Sequence, residues 1–204
     1  MNWKVCGMRD PDNIKETLTL RPDFMGFIFY EKSPRFIGNN PDILKNIVFD
    51  ETKKVGVFVN HSFSQIVSFV KDFNLDMIQL HGDEGVELVE KLKIEGIPVI
   101  KVLRIKDTLP ESEMRKFSPL IDYFLFDTQT EKYGGSGIKF NWSLLKSYNL
   151  PNPYFLSGGL DLEAVEQLNI RAFPGLKAID LNSKFEIEPG LKSVEKLKEV
   201  NHLV

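Results

Sequence analysis

Val55-Gly56-Val57-Phe58-Val59-Asn60 is followed by Ser62, then by Ile66, Val67, Phe69 and Val70, and the stretch closes on Met77-Ile78-Gln79-Leu80-His81-Gly82. The first and last pieces are near-continuous apolar runs, the pattern of strands covered on both faces. The middle piece places its apolar residues on one side of a helix, opened by a serine suited to the N-cap. A strand, a helix and a second strand in direct succession make a parallel unit with a right-handed crossover.

The same unit repeats outward in both directions. Strands are predicted at Trp3–Cys6, Phe24–Phe29, Val55–Val59, Met77–Leu80, Pro98–Leu103, Tyr123–Phe126, Tyr154–Leu156 and Ala178–Leu181. Asp10-Pro11 and Asn40-Pro41 open the first two helices, with proline in the first turn. Asp83 precedes Val86, Leu88, Val89 and Leu92. Pro110–Phe117 is a weaker helical stretch. Asn141 starts Trp142-Ser143-Leu144-Leu145, and Asp161 precedes Ala164, Val165 and Leu168. The last helix follows Pro189-Gly190, with Leu191, Val194, Leu197 and Val200 at helical spacing.

Eight such units are the number that closes an α/β (β/α)8 TIM barrel. At 204 residues the chain is short for that fold. A single compact domain over 1–204, without large insertions, is therefore expected. An open doubly wound sheet is the alternative, but no Gly-x-Gly-x-x-Gly follows the first strand.

Composition narrows the function. The formal net charge is -3, from 26 basic and 29 acidic residues, and no basic stripe points to nucleic acid. No apolar run is long enough to span a bilayer, so no membrane is expected. Lys4, Arg9 and Asp10 interrupt any signal-like N-terminus, and a single cysteine fits a reducing, cytoplasmic setting. The three histidines, His61, His81 and His202, show no metal-ligand spacing.

In a barrel the chemistry lies at the C-terminal ends of the strands. Read in order, those ends carry Cys6, Ser33-Pro34-Arg35, Asn60, Gln79-Leu80-His81-Gly82, Arg104, Asp127-Thr128, Ser157-Gly158-Gly159 and Asp180-Leu181-Asn182-Ser183. Cys6 is either a buried small hydrophobe or a base or nucleophile at the mouth of the first strand. Asp127 is the first acid out of an apolar strand and points with Tyr123 and Leu125; partial burial would suit it to general acid work. A loop-ordering carboxylate is the equal alternative. Gly158 and Gly159 let backbone amides approach an anion, and Asn182 and Ser183 would form the second wall of a phosphate site. Tyr133-Gly134-Gly135-Ser136-Gly137 could fold over a ligand or be an unconstrained turn. Arg35 could clamp a carboxylate or be a solvated loop residue. His81 could face substrate or sit satisfied at the rim.

Together these pieces resemble the phosphoribosylanthranilate isomerase family. The resemblance rests on Lys4-Val5-Cys6-Gly7-Met8, Gly26-Phe27-Ile28-Phe29 with Ser33-Pro34-Arg35, and Val55–Asn60. It continues through Ile78–Gly82, Phe126-Asp127-Thr128 with Tyr133–Gly137, Leu156–Leu160, and Pro189-Gly190. It implies an Amadori rearrangement of N-(5-phosphoribosyl)anthranilate to 1-(2-carboxyphenylamino)-1-deoxyribulose 5-phosphate, in tryptophan biosynthesis. By resemblance Asp127 is the general acid and Cys6 the general base. Arg35 contacts the anthranilate, and Asp180 and His81 contact the rest of the substrate. Gly158, Gly159, Asn182 and Ser183 hold phosphate, and Gly134, Gly135, Ser136 and Gly137 form a lid. No metal or cofactor is implied. The only partner is the phosphorylated small molecule, with the protein a monomer or homodimer.

An ordinary thiol has a pKa of about 8.5, so a base at Cys6 needs a cationic or hydrogen-bonding neighbour. Lys4 shares its strand parity and is the candidate. One segment departs from the family, which ends its eighth strand Asp-Val-Ser-Ser-Gly-Val-Glu. Here Asn182 replaces a serine and Lys184 the glycine, which leaves the loop's conformation open. Two rival readings use the same barrel: a Schiff-base aldolase with Lys101 as the amine, and a non-catalytic binder of phosphorylated ligands.

Overall fold

Eight parallel strands close into a barrel in chain order: β1 (Asn2–Cys6), β2 (Phe24–Ile28), β3 (Lys53–Phe58), β4 (Met77–Leu80), β5 (Val99–Ile105), β6 (Tyr123–Thr128), β7 (Tyr154–Leu156) and β8 (Leu176–Leu181). The structure, a computed structural model, describes residues 1–128 and 140–203. β8 pairs with β1 through Asn2↔Ala178, Trp3↔Ile179, Lys4↔Asp180 and Val5↔Leu181, and that seam sets aside the open-sheet alternative.

Strand periodicity divides the interior into two layers. Phe24, Val55, Met77, Ile100, Val102, Leu125, Phe155 and Ala178 point inward and fill the barrel. The Phe24 and Phe155 rings meet edge to face at 5.0 Å. Their sequence neighbours, including Met25, Ile78, Leu103, Phe124, Phe126 and Ile179, point outward and pack under the helices. Each large apolar side chain so buried contributes about 1.5–3 kcal/mol. Two residues further along several strands, the inward positions turn polar. Cys6, Gln79, Asp127 and Asp180 therefore stand above an apolar plug at the C-terminal mouth.

The connecting helices are α1 (Pro11–Leu18), α2 (Asp42–Lys45), α3 (Phe63–Asp72), α4 (Val86–Ile94), α5 (Glu111–Phe117), α6 (Leu162–Glu166) and α7 (Val194–Asn201). Sequence punctuation explains the clearest starts. Asp10 accepts from the Asn13 amide with Pro11 in the first turn of α1, and Ser62 and Gln65 form a reciprocal capping box on α3.

Three helical expectations are corrected. The stretch opened by Asn40-Pro41 makes one turn only and ends at Asn46. The stretch after Asn141 is a 3-10 turn, Trp142–Ser147, because Tyr148 is already extended and Pro151 follows. Pro189-Gly190 does not open a helix. It turns an antiparallel hairpin, β9 (Glu186–Glu188) and β10 (Leu191–Lys192), with Gly190 at φ +89°, where glycine is favoured. α7 starts later, capped by Ser193. Strand ends also move. β5 and β6 continue past their predicted ends through Arg104↔Asp127 and Ile105↔Thr128, so Asp127 is held within a strand rather than in the loop after it. Among the described residues, no helix is long and apolar enough to cross a membrane.

Candidate active site

Cys6 ends β1 on its inward face, with Lys4 one inward position below it, and both are buried. Gly26 lies directly across on β2. A side-chain carbon at Gly26 would stand 2.7 Å from Cys6 Sγ and 3.1 Å from Lys4 Nζ, so the missing side chain is what lets the thiol and ammonium share this space. Lys4 Nζ donates to Asp180 Oδ1 at 2.9 Å, and its charge acts on the neighbouring thiol. Burial works against the ammonium, yet Asp180 and Cys6 together outweigh it and hold the Lys4 pKa above the ordinary lysine value. For Cys6, burial pushes the thiol up and Asp180 adds to that. Lys4, and more weakly Lys192, pull the other way without cancelling it. The cationic neighbour that the chemistry asks for is therefore present.

Asp127 stands on β6. On one side of the ring, β8 and β7 lie between it and Cys6. Its Oδ1 accepts from the Thr128 amide at 2.8 Å, and its Oδ2 lies 3.4 Å from His81 Nε2. Gln79 Nε2 faces His81 Nδ1 at 3.5 Å. An amide nitrogen only donates, so Nδ1 accepts and Nε2 carries the proton turned toward Asp127. Asp180 is the second inward acid. Burial raises its carboxyl, Lys4 opposes this, and the charge of Asp127 raises it further.

Behind Asp127, Gly158 follows β7 at φ +86°. A side-chain carbon there would collide with Thr128 Oγ1 and meet Asp127 Oδ1 at 3.3 Å. Gly159 is also left-handed, at φ +71°. These glycines bring a loop of backbone against the acid. The helix they lead into, α6, is short, and the side chain of Asp161 already takes its Ala164 amide.

Arg35 reaches the mouth from the loop after β2. Its Nε and Nη2 bind Glu186 Oε1 and Oε2 at 2.8 and 2.7 Å. Glu186 Oε1 also accepts from Lys192 Nζ at 2.6 Å and from the Gly190 amide at 3.1 Å. Burial alone would raise the Glu186 carboxyl, but these donors hold it below the usual range. Asn182 Oδ1 accepts from Lys192 Nζ at 2.8 Å. Gly7 makes room here as well, since a side-chain carbon on it would lie 2.7 Å from Arg35 Cδ and 3.1 Å from Asn182 Oδ1.

Lys101 is elsewhere. Its neighbours Ile100 and Val102 point inward, so it points outward. Its Nζ binds Glu84 Oε2 at 2.9 Å and the Gly82 carbonyl at 3.0 Å, and sits 5.5 Å from the Phe117 ring centroid on α5. An amine between sheet and helices cannot meet a sugar at the mouth, which removes the observation behind the aldolase reading. Among the described residues, no group of three or more His, Cys, Asp or Glu side chains could hold a metal ion.

A sequence model described as N-(5'phosphoribosyl)anthranilate (PRA) isomerase matches residues 3–202. The N-(5'-phosphoribosyl)anthranilate isomerase of Parabacteroides distasonis is 43% identical over 197 residues, spanning 96% of this chain and 89% of that one. The chain belongs to the PRA isomerase family. The structure of the PRA isomerase from Thermotoga maritima superposes with a TM-score of 0.83 at 32% identity, covering 98% of this chain and 96% of that one. A further PRA isomerase structure, a complex with reduced 1-(o-carboxyphenylamino)-1-deoxyribulose 5-phosphate, superposes with a TM-score of 0.79 at 28% identity. That similarity covers 100% of this chain and 97% of that one.

Against the PRA isomerase pattern, the replacement of glycine by Lys184 proves harmless to the backbone. Ser183–Phe185 forms a 3-10 turn, and Lys184 is not among the residues with positive φ. The expected lid residues Gly134, Gly135, Ser136 and Gly137 lie outside the described residues. Two members of the mouth, Glu186 and Lys192, are given no role in the sequence reading. A Pro-Gly turn flanked by Glu186-Ile187-Glu188 and Leu191-Lys192 is a hairpin signal that would have placed the two opposite each other. Helical spacing from Leu191 to Val194 masked it.

Proposed function

We propose that Cys6 is the general base and Asp127 the general acid of this PRA isomerase. The chain converts N-(5'-phosphoribosyl)anthranilate to 1-(2-carboxyphenylamino)-1-deoxyribulose 5-phosphate, a step of tryptophan biosynthesis. Asp127 gives its proton to the furanose ring oxygen as the bond from that oxygen to C1 breaks, leaving a Schiff base. Cys6 takes the C2 proton, its electron pair forms the enolamine, and tautomerisation gives the ketone. One group must arrive protonated and the other deprotonated, on different sides of the sugar. The observation that carries this reading is placement: a lysine ammonium lies against the thiol on β1, and the Asp127 carboxyl stands at the same mouth on β6, separated from it by β7 and β8 on one side of the ring.

The surrounding roles follow from the donors left over. Arg35 spends one edge of its guanidinium on Glu186 and keeps N–H groups of Nη1 and Nη2 for the anthranilate carboxylate. Asp180 offers its second oxygen to sugar hydroxyls. The backbone amides of Gly158 and Gly159, with Asn182 and Ser183, take the phosphate. We place the protein in the cytoplasm, where a lone thiol stays reduced.

The test is direct. Purified protein should consume phosphoribosylanthranilate, followed by loss of its fluorescence. Cys6→Ala and Asp127→Asn should each lower turnover by about 10²–10⁴-fold. Wild-type turnover in either variant would overturn the assignment.

A further inference from the structure

We propose that Gln79 is a positioning residue for Asp127, acting through His81: its amide N–H fills the Nδ1 side of the imidazole, so that the ring turns an N–H toward Asp127 and cannot take the acid's proton. The proposal rests on the reading of Asp127 as general acid.

Gln79 takes an inward position on β4, two residues past Met77, and is 1% exposed. Its partners in register are Val57 on β3 and Ile100 on β5, both apolar. An apolar side chain would suit this position better than an amide, because a buried polar atom without a partner carries a penalty. The amide bears that penalty at one end: its Oε1 has no hydrogen-bond partner among the described residues. At the other end Nε2 stands 3.5 Å from His81 Nδ1. A glutamine kept in an apolar ring with only one end engaged points to a use for that end.

His81 is held between two groups. Its backbone amide donates to the Phe58 carbonyl at 2.9 Å and its carbonyl accepts from Arg104 Nη2 at 3.1 Å, which sets the root of the ring at the end of β4. Nδ1 then faces Gln79, and Nε2 faces Asp127 Oδ2 at 3.4 Å. In ordinary surroundings imidazole is a stronger base than a carboxylate by about 2–3 pH units. A bare Nε2 would therefore draw the proton of Asp127, and the sugar would receive none. With a donor against Nδ1, the bare nitrogen is turned away from Asp127, and the nitrogen turned toward it already carries a hydrogen. Asp127 keeps its proton for the furanose ring oxygen. Once that proton has left, the same N–H donates to the new carboxylate in a charge-assisted bond, about twice as strong as a neutral one.

The chain has three histidines, so a His81→Asn blank assigns the His81 ring signals in heteronuclear spectra of nitrogen-labelled protein. At about pH 9 an ordinary imidazole is neutral and carries one proton. Asp127→Ala removes the carboxylate's own pull on the ring, so the tautomer in that variant reports on Gln79. Its spectrum should show the proton on Nε2 and a bare Nδ1. Adding Gln79→Glu should move the proton to Nδ1, because a carboxylate only accepts. A proton on Nδ1 in Asp127→Ala overturns the proposal, as does a bare Nδ1 after Gln79→Glu. Should Gln79→Glu not fold, Gln79→Met takes its place, and a lone Nε2–H tautomer surviving there ends the idea. In otherwise wild-type protein, Gln79→Met should lower the single-turnover rate on phosphoribosylanthranilate about two- to tenfold, the worth of one neutral hydrogen bond, with the half-saturating concentration unchanged. An unmoved rate also overturns the proposal. The tautomer is read without substrate. If Asp127→Asn turned over like wild type, the acid assignment would fall while the link from Gln79 to His81 stood.

Discussion

Lys4 and Lys101 both lie in barrel strands, both are buried, and each donates to a carboxylate at 2.9 Å. Strand parity separates them. Lys4 takes an inward position, where its ammonium meets Asp180 and the Cys6 thiol. Lys101 takes an outward one, where it meets Glu84, a backbone carbonyl and the Phe117 ring. Glu84 in turn accepts from the Asn60 and Gly82 amides, so the outward pair ties together the loops after β3 and β4. On the proposed mechanism the inward pair tunes a reacting group, whereas the outward pair holds loops in place. The same two residue types serve both uses, and a one-residue shift in register would exchange them.

The sharpest break of this comparison lies in the inward layer itself. On the proposed mechanism, loss of Cys6 or Asp127 removes a group that moves a proton, and the assay above should register the largest effect of any substitution. Lys4→Met comes next. It keeps the length of the side chain and removes the charge that opposes the rise in the thiol's pKa. An opposite charge at this range is worth about 1–3 pH units, so kcat/KM at neutral pH should fall at least tenfold and its pH profile move toward alkali. A profile that stays in place would refute the assignment of Lys4 as the neighbour that activates Cys6.

Lys101→Met should do the reverse. It leaves Glu84 buried without its cation, at a cost of about 3–5 kcal/mol in unfolding free energy. Urea titration should reveal that loss while the pH profile of the remaining activity keeps its midpoint. If the midpoint moved, the separation of the two lysines by strand face would fail. Pairing Lys101→Met with Glu84→Gln should recover part of the stability, because the stranded charge is gone.

How much of this was legible in the sequence follows from the range of each interaction. Strands covered on both faces read as apolar runs, so the eight strands and their closure could be counted. Cys6, Arg35, His81, Asp127, Gly158 and Asp180 could be named because each sits at or just beyond a strand end. Even the link from Lys4 to Cys6 follows from period two within one strand. Contacts between strands could not be read this way. The meeting of His81 with Asp127 joins β4 to β6 across an intervening strand. The Arg35–Glu186–Lys192 cluster joins the second loop to a hairpin near the other end of the chain, and only barrel closure brings them together. The same holds for the extra length of β5 and β6, which comes from their mutual pairing rather than from either run alone.

The smallest expected effect tests the outward layer at a group with no electrostatic partner to lose. Tyr154 follows the same parity rule as Lys101, with Phe155 beside it pointing inward. Its ring packs against Tyr148 at 4.8 Å and Phe126 at 5.2 Å. Its buried hydroxyl has no hydrogen-bond partner among the described residues, whereas that of Tyr148 donates to the Asn152 carbonyl. An unpaired buried hydroxyl carries a desolvation penalty, so Tyr154→Phe should raise stability by about 1 kcal/mol at neutral pH. Burial also pushes Tyr148 up to about 12 and, with the added influence of Tyr148, Tyr154 higher still. Tyrosines of the unfolded chain ionise near pH 10, while these two keep their protons in the fold. What they contribute is therefore complete below about pH 10 and lost as pH climbs toward the folded values. Tyr154→Phe removes one of the two titrating groups and should flatten that alkaline decline. Urea midpoints for wild type and variant at neutral pH and near pH 11 read both effects together. A variant less stable at neutral pH would mean that the hydroxyl is satisfied after all, and an unchanged alkaline slope would mean that Tyr154 is not among the groups whose protons the fold retains.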